Sequence, residues 1–315
     1  MKVVLAAKQI AADDICVFEF VSADGAPLPA FEAGAHIDVT IADGLVRQYS
    51  LCNAPGETHR YRIGVLRDPA SRGGSAAMHA LEAGVQLEIG EPRNLFALSE
   101  AASHSVLVAG GIGITPILSM AEQLAARGAS FEVHYCTRSP ERTAFAERFA
   151  AADLQPRTRI YHDIDAPSYR LDLDTLVASP AAEKHLYVCG PAGFIEAVLE
   201  RARLAGWRDA NLHREYFAAP EQPAAQSGWF KVQLHRSGQI FDVEPDQTIV
   251  QALSANGVEI VTSCEQGVCG TCLTRVIAGE PEHRDCYLTD EEHAANDQIL
   301  PCCSRSRSPV LVLDL

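Results

Sequence analysis

The segment Cys264-Glu265-Gln266-Gly267-Val268-Cys269-Gly270-Thr271-Cys272 places three cysteines at C-x4-C-x2-C spacing, and Cys302 follows about thirty residues later. Three thiolates on one tight loop and a fourth from a distant strand can surround two iron ions, and this spacing is typical of a plant-type [2Fe-2S] cluster. Such a cluster carries one electron at a time. The segment predicts an electron-transfer domain with Cys264, Cys269, Cys272 and Cys302 as its metal ligands.

The two glycines of this loop agree with that interpretation. Gly267 and Gly270 allow positive φ and let backbone N–H groups approach sulfur atoms closely. A structural zinc site is the alternative, since four thiolates also suit zinc. Zinc sites usually pair their ligands as two C-x2-C units, and this segment has one. The spacing therefore favours iron–sulfur.

The fourth ligand is open between Cys302 and Cys303, because adjacent residues of a strand face opposite ways. The segment resembles plant-type ferredoxins, which carry a hydrophobic residue and a threonine before the fourth cysteine. Leu300-Pro301-Cys302 fits that frame better. The resemblance implies Cys302.

Length and composition limit the class of protein. The chain has 315 residues, enough for two or three domains, and 47% of them are hydrophobic. A formal charge of −15 argues against a nucleic-acid partner. From residue 228 onward, six Lys and Arg stand against thirteen Asp and Glu. That acidic surface either steers the domain toward a basic partner or only aids solubility.

The amino-terminal residues and the cysteines indicate the compartment. Met1-Lys-Val-Val-Leu5 leads into polar residues at Lys8 and Asp13-Asp14, which is unlike a secretory signal. No run of about eighteen apolar residues predicts a membrane span. We expect a cytoplasmic protein without a membrane partner, in which the non-ligand thiols are reduced.

Changes in sequence pattern divide the chain into three predicted domains. Residues 218–228 are rich in Ala, Pro and Gln and predict a linker. Short alternating apolar runs before residue 98, at 16–21, 36–41, 61–66 and 86–89, predict an antiparallel β-barrel. Alternating strands and helices follow, with strands at 106–109, 131–135 and 185–188 and helices from Pro116, at 142–150 and at 192–205, which predicts a parallel sheet. The expected domains are residues 1–100, 101–220 and 228–315.

Two glycine-containing turns follow strands of the predicted parallel sheet. In Ala109-Gly-Gly-Ile-Gly-Ile-Thr-Pro116, glycines permit close approach of a pyrophosphate, Thr115 could cap a helix and Pro116 suits its first position. The second turn, Cys189-Gly190-Pro191, ends another strand, and ligands of such sheets bind beyond the carboxyl ends of strands. Tight packing is the alternative for either turn alone. The candidate nucleotide-binding residues are Gly110, Gly111, Gly113, Thr115, Pro116, Cys189, Gly190 and Pro191.

The first segment carries a candidate site for a phosphate and an aromatic ring. Arg47-Gln-Tyr49-Ser50-Leu51 is expected to follow a strand, and a short helix is expected to open near Gly74-Ser75 and to close at Gly84. Arg47 could bind phosphate bidentately while Gly74 and Ser75 offer N–H groups and a hydroxyl. Tyr49 offers a ring face. A surface arginine, a core tyrosine and an ordinary cap are the alternatives.

Taken in order, Arg47-x-Tyr49-Ser50, the Gly110–Pro116 turn, Cys189-Gly-Pro191 and the cysteine set resemble the phthalate dioxygenase reductase family, which includes vanillate O-demethylase reductase subunits. The resemblance covers essentially the whole chain. It implies an FMN-binding barrel, an NAD(P)H-binding α/β domain and a carboxyl-terminal α+β ferredoxin domain of the β-grasp type. Arg47, Tyr49, Ser50, Gly74 and Ser75 would contact FMN. Phe217 stands where the family places an aromatic residue near the flavin, with Tyr216 as the rival.

The resemblance also implies the reaction. Hydride would pass from NADH to FMN, and single electrons would leave through the cluster to a terminal Rieske-type oxygenase; no general acid or base is needed, so no catalytic residue is predicted. The alternatives are a reductase for another oxygenase, such as a carnitine-type monooxygenase, and a non-enzymatic redox-responsive binding protein. NADPH is the alternative nucleotide, because Arg138 in Thr137-Arg138-Ser139 could hold a 2′-phosphate.

Overall fold

The computed structural model describes residues 1–42, 44–69, 73–164, 166, 169–218 and 228–315. It divides into two compact units, Met1–Phe217 and Ala218–Leu315. Within the predicted linker, residues 219–227 lie outside the described residues. No helix in the described ranges is long and apolar enough to cross a membrane.

The first sheet of unit 1 is antiparallel, with six strands in the order β4-β3-β6-β1-β2-β5. The end strands also meet, since Leu51 bridges to Ile63 and the Cys52 N–H donates to the Arg62 carbonyl at 2.9 Å. This contact closes the sheet, and the predicted antiparallel barrel is confirmed. The strands are β1 (Lys2–Ala12), β2 (Ile15–Ser22), β3 (His36–Ala42), β4 (Leu45–Ser50), β5 (Tyr61–Leu66) and β6 (Gln86–Ile89), and helix α1 spans Gly74–Ala80.

The second sheet of unit 1 is parallel, with the order β11-β10-β7-β8-β9. Its central strand separates two cores. Leu107 packs with Ile117 of one helix, whereas Val106 packs with Val198 of another. Because successive side chains of a strand face opposite sides, helices cover both faces, as predicted. The elements are β7 (His104–Gly110), α2 (Ile114–Ala126), β8 (Phe131–Thr137), α3 (Ala146–Phe149), β9 (Thr158–His162), α4 (Leu173–Val177), β10 (Lys184–Gly190), α5 (Ala192–Leu204) and β11 (Leu212–Tyr216).

The barrel and the parallel sheet share a core within unit 1. Ala33 and Phe96 pack in the same apolar cluster as residues of α2. The Ala33 N–H donates to Gln123 Oε1 at 3.0 Å, and Ser119 Oγ donates to the Asn53 carbonyl at 3.1 Å. These contacts hold the segments before β3 and after β4 against α2.

Unit 2 contains a five-stranded mixed sheet in the order β13-β12-β18-β14-β16 and a two-stranded sheet, β15-β17. Strand β18 lies at the centre, parallel to β12 and antiparallel to β14. Thr248 and Gln251 form a capping box at the first helix, and Thr289 and Glu292 form one at the second. The elements are β12 (Phe230–Leu234), β13 (Ile240–Val243), α6 (Ile249–Ser254), β14 (Thr274–Ala278), β15 (Pro281–Glu282), α7 (Asp290–Ala295), β16 (Gln298–Ile299), β17 (Arg305–Ser306) and β18 (Val310–Leu313).

Candidate cofactor sites

The cysteine loop of unit 2 has the backbone conformation that its glycines predict. Gly267 has φ of 73° and Gly270 has φ of 69°. A Cβ on Gly267 would lie 2.5 Å from Cys303 Sγ, and a Cβ on Gly270 would lie 2.3 Å from the Tyr287 ring. The loop therefore lies directly on the chain that follows it, and neither glycine leaves room for a side chain.

The four predicted metal ligands come together at this loop. The Cys302 thiol is within hydrogen-bonding reach of Cys264 and Cys272, and Cys264 also reaches Cys269. Cys269, Cys272 and Cys302 are buried, and Cys264 is half-buried. A hydrogen bond to Cys264 and burial raise the pKa of Cys269. A positively charged metal centre would stabilise such crowded sulfur atoms as thiolates, so the residues fit a cluster.

Backbone donors point at two of these sulfur atoms. The Gln266 N–H donates to Cys264 Sγ at 3.3 Å, and the Thr271 N–H donates to Cys269 Sγ at 3.4 Å. N–H donors to sulfur stabilise its negative charge and tune the potential of a bound cluster.

Cys303 has different surroundings from Cys302. Its Sγ lies 3.7 Å from the Leu300 carbonyl and 3.7 Å from Ser304 Oγ, and it packs under Gly267. Although the two thiols are neighbours, that of Cys302 reaches two thiols of the loop.

The two glycine turns of unit 1 abut each other at the carboxyl ends of β7 and β10. A Cβ on Gly113 would lie 2.3 Å from the Cys189 carbonyl oxygen, and a Cβ on Gly190 would lie 3.0 Å from the Gly110 Cα. Close backbone packing therefore requires these glycines. Gly111 differs, because it has φ of 55° and a Cβ placed on it would have no atom within 4 Å. It is the glycine that leaves space for a ligand.

The predicted helix start after β7 was wrong by two residues. A 3-10 turn spans Gly111–Gly113, and α2 begins at Ile114, so Pro116 is not at the first helical position. Thr115 makes no capping hydrogen bond to α2; its Oγ1 donates back to the Ile112 carbonyl at 3.1 Å. The residue is buried because its methyl group packs on Gly64 of β5.

The predicted phosphate site brings β4 to the start of α1. Arg47 and Tyr49 lie within β4 rather than after a strand, which corrects the expectation. The Arg47 side chain lies across Gly74, where a Cβ would be 2.7 Å from Arg47 Cγ. Helix α1 ends at Ala80, before the expected Gly84, because extended backbone begins at Leu81.

Two further residues of that site, Ser75 and Tyr49, have different surroundings. Ser75 Oγ accepts a hydrogen bond from the Asp68 N–H at 3.1 Å. Burial raises the pKa of Tyr49. An arginine beside glycine N–H groups is a donor set that fits a phosphate, and Tyr49 is half-buried on the same strand as Arg47.

Glu215 lies beside the candidate site and was not among the residues predicted from the sequence. Its Oε2 accepts a hydrogen bond from Ser50 Oγ at 3.1 Å, and it pairs with Cys189 across β10 and β11. Burial raises its pKa to about 8. The sequence signal was a carboxylate directly before the quoted aromatic residues, in a strand whose first residue, Leu212, is buried.

Cys189 and the two aromatic residues after Glu215 have distinct surroundings. Cys189 is fully buried, and burial raises its pKa well above the ordinary value, which agrees with a neutral thiol rather than a nucleophile. Tyr216 packs against the core of the parallel sheet, whereas Phe217 is 37% exposed. Phe217 is thus the more accessible ring.

Comparison with known proteins agrees with these sites. Residues 232–307 match the family described as "2Fe-2S iron-sulfur cluster binding domain", and residues 91–212 match "Dimethylamine monooxygenase subunit DmmA-like, N-terminal domain". Vanillate O-demethylase oxidoreductase from Pseudomonas sp. strain HR199 is 53% identical over 100% of both chains. Phthalate dioxygenase reductase from Burkholderia cepacia is 40% identical over 100% of this chain and 97% of its own. A solved phthalate dioxygenase reductase superposes with a TM-score of 0.79 at 40% identity, covering 100% of this chain and 98% of that one.

The fold and the sites define an oxidoreductase that uses a flavin, a pyridine nucleotide and a [2Fe-2S] cluster. The chain belongs to the family of vanillate O-demethylase oxidoreductase and phthalate dioxygenase reductase, the reductase components of two-component oxygenases. The family resemblance noted in the sequence, the fold class and the reductase function are confirmed, and an enzyme replaces the binding-protein alternative.

Proposed function

We propose that the protein takes a hydride from NADH and delivers electrons singly to a Rieske-type oxygenase that acts on a vanillate-like aromatic substrate. When bound, the flavin accepts the hydride and releases single electrons, and the cluster carries them onward. The observation that carries the proposal is the gathering of Cys264, Cys269, Cys272 and Cys302 at one loop. High identity to vanillate O-demethylase oxidoreductase supports the substrate class.

Residues of unit 1 would bind and orient the two organic cofactors. Arg47 and the first N–H groups of α1 would hold the single phosphate of FMN. Ser50 and Glu215 would border the isoalloxazine ring, with Phe217 covering it. Gly111 and the Cys189-Gly190-Pro191 turn would hold the pyridine nucleotide. The cytoplasm is the proposed compartment, since none of the ten cysteines, all of which lie in the described part of the chain, forms a disulfide.

The test combines the purified protein with the terminal oxygenase of a vanillate O-demethylase system. NADH should reduce the Rieske centre of that oxygenase, seen by electron paramagnetic resonance, and vanillate should accelerate NADH oxidation only when both components are present. Failure to reduce the oxygenase, with normal NADH-dependent bleaching of the flavin and cluster, would reject the partner.

A cysteine variant tests the order of the transfers. Cys272→Ser should abolish reduction of the oxygenase while NADH still bleaches the flavin absorption. Cys286→Ser changes a cysteine of the same unit outside the proposed ligand set and should retain both steps. Loss of flavin bleaching in Cys272→Ser would contradict the proposed modular path.

A further inference from the structure

A second group of metal-ligating side chains lies in unit 2, apart from the four cysteines. His283 and Asp285 follow β15, and His293 lies on α7. One potential ligand atom from each residue lies within 4.8 Å of the others. His293 Nε2 is 3.2 Å from Asp285 Oδ2, and His283 Nδ1 is 3.7 Å from Asp285 Oδ1.

His283 is the least well satisfied side chain of this group. Neither of its ring nitrogens makes a hydrogen bond of good geometry to the described residues, and its contacts with the Asn296 side chain and the His293 backbone are weak. Its side chain is only 10% exposed. A neutral imidazole has one N–H donor and one acceptor, and leaving them poorly paired in the interior is unfavourable. A bound ion would supply a stronger partner.

The surrounding structure holds the other two side chains in position. The Asp285 side chain is fully buried, and its Oδ2 accepts from the Leu288 N–H at 2.9 Å. Ser304 Oγ donates to its Oδ1 at 3.4 Å. The capping box of Thr289 and Glu292 fixes the start of α7, which carries His293. Hydrogen bonds of this kind orient ligands for a metal.

Charge around the group is compatible with a cation. Arg284 lies between the two ligands in sequence, but its Nη2 is 2.7 Å from Glu282 Oε1, so an acidic partner accompanies its positive charge. His293 is 27% exposed and offers a path from solvent. A water molecule could complete the coordination there.

We propose that His283, Asp285 and His293 bind one divalent transition-metal ion of the zinc type. Two imidazoles and a carboxylate suit such ions, with metal–ligand bonds of about 2.0–2.2 Å. Tetrahedral ligands at that length stand roughly 3.3 Å apart. One ligand atom from each of the three residues lies within 4.8 Å of the others, so the side chains would move closer together when the ion binds. The His283 and His293 rings are stacked, with their centroids 4.3 Å apart. Binding would therefore rotate one of the rings, so that one nitrogen of each ring faces the ion.

The ion would stabilise the segment that packs against the cysteine loop. The Cys286 N–H donates to the Gly267 carbonyl at 3.0 Å, and Gly267 packs on the Asp285 backbone. A metal joining Asp285 to α7 would therefore fix the segment on which the loop lies. The site shares no ligand with the proposed cluster, because none of its residues belongs to the cysteine set.

The experiment measures zinc binding to the full-length protein with its cofactors bound. Protein freed of loosely bound metal is dialysed against ZnCl2, and bound zinc and iron are counted by mass spectrometry, while calorimetry gives the affinity. We expect about one zinc per chain without loss of iron. His283→Gln and the more exposed His293→Gln should each weaken binding at least about tenfold, whereas His235→Gln, an exposed histidine of the same unit, should not.

Two results would overturn the proposal. Equal zinc affinity in the wild type and both variants would place the zinc elsewhere, for example on thiols. Zinc uptake matched by loss of iron would show displacement of the cluster metal. An unchanged visible spectrum in His293→Gln demonstrates that the variant is folded, so weaker binding in it reports the loss of a ligand.

Discussion

Ser50 Oγ donates to the Glu215 carboxylate at 3.1 Å, although 165 residues separate them. The bond joins the last residue of β4 to β11 of the parallel sheet. It therefore connects the barrel and the nucleotide-binding sheet at the place where both predicted organic cofactors converge.

The raised pKa of Glu215 predicts a pH-dependent stability. The folded carboxyl group has a pKa of about 8 against an ordinary 4.5, because burial disfavours its charge. Between these values the folded protein keeps a proton that the unfolded chain has released, so stability falls as pH rises and levels off above about 8. Glu215→Gln should remove this decline.

Thermal unfolding across this pH range measures the effect. The midpoint for Glu215→Gln should rise relative to the wild type as pH increases, while Glu88→Gln, an exposed glutamate of the barrel, should follow the wild type. A constant difference between Glu215→Gln and the wild type at all pH values would contradict the assignment.

In the turn after β7, substitution by alanine should lower the stability of unit 1 by different amounts at Gly111 and Gly113. Gly113→Ala places a Cβ against the Cys189 carbonyl and should destabilise unit 1 by about 3 kcal/mol. Gly111→Ala meets no atom and should cost only about 1 kcal/mol for its positive φ. Gly193→Ala lies in open space within α5 and serves as the control, with little change expected. Denaturant unfolding would compare the three; equal losses at Gly111 and Gly113 would exclude the packing explanation.

The neighbouring cysteines allow a matched test of the fourth ligand. Cys302→Ser should lose most of the iron and the visible cluster absorption, because the Cys302 thiol reaches Cys264 and Cys272. Cys303→Ser should keep both, since its sulfur packs under Gly267. Iron and acid-labile sulfide content provide the measurement. The reverse pattern would assign the ligand to Cys303.

Nucleotide preference should depend on Arg138. This exposed residue directly follows β8, where a 2′-phosphate on the adenosine ribose would be attracted to its charge. Arg138→Ala should lower kcat/KM for NADPH by about tenfold or more, as expected for one lost charged hydrogen bond, and leave NADH nearly unchanged. Steady-state kinetics with both nucleotides provides the comparison, and a parallel fall for both would show that Arg138 does not discriminate.

Local patterns predicted much of the fold. Strands β5 and β6 were predicted at their observed bounds, because alternation and flanking turns are properties of neighbouring residues. Strand β1 was not among the predicted strands. Its register shifts at Leu5/Ala7 and Ile10/Ala12 interrupt the two-residue period on which such a prediction depends.

Site features that depend on contacts between distant parts of the chain could not be predicted from the sequence. The loop spacing identified the cysteine set, whose members are close in sequence apart from Cys302. The role of Glu215 depends on Ser50, which only the folded chain brings near. Thr115 was expected to cap a helix because nothing local indicates that β5 packs on it.

The central position of β18 affects how the protein is made. Leu311 and Leu313 are fully buried between β12 and β14, so the sheet of unit 2 is incomplete until these late residues leave the ribosome. The cysteine loop is synthesised some forty residues before β18. Its thiols are therefore exposed until β18 completes the sheet of unit 2. The scaffold of the proposed cluster site is therefore complete only after β18 has been synthesised.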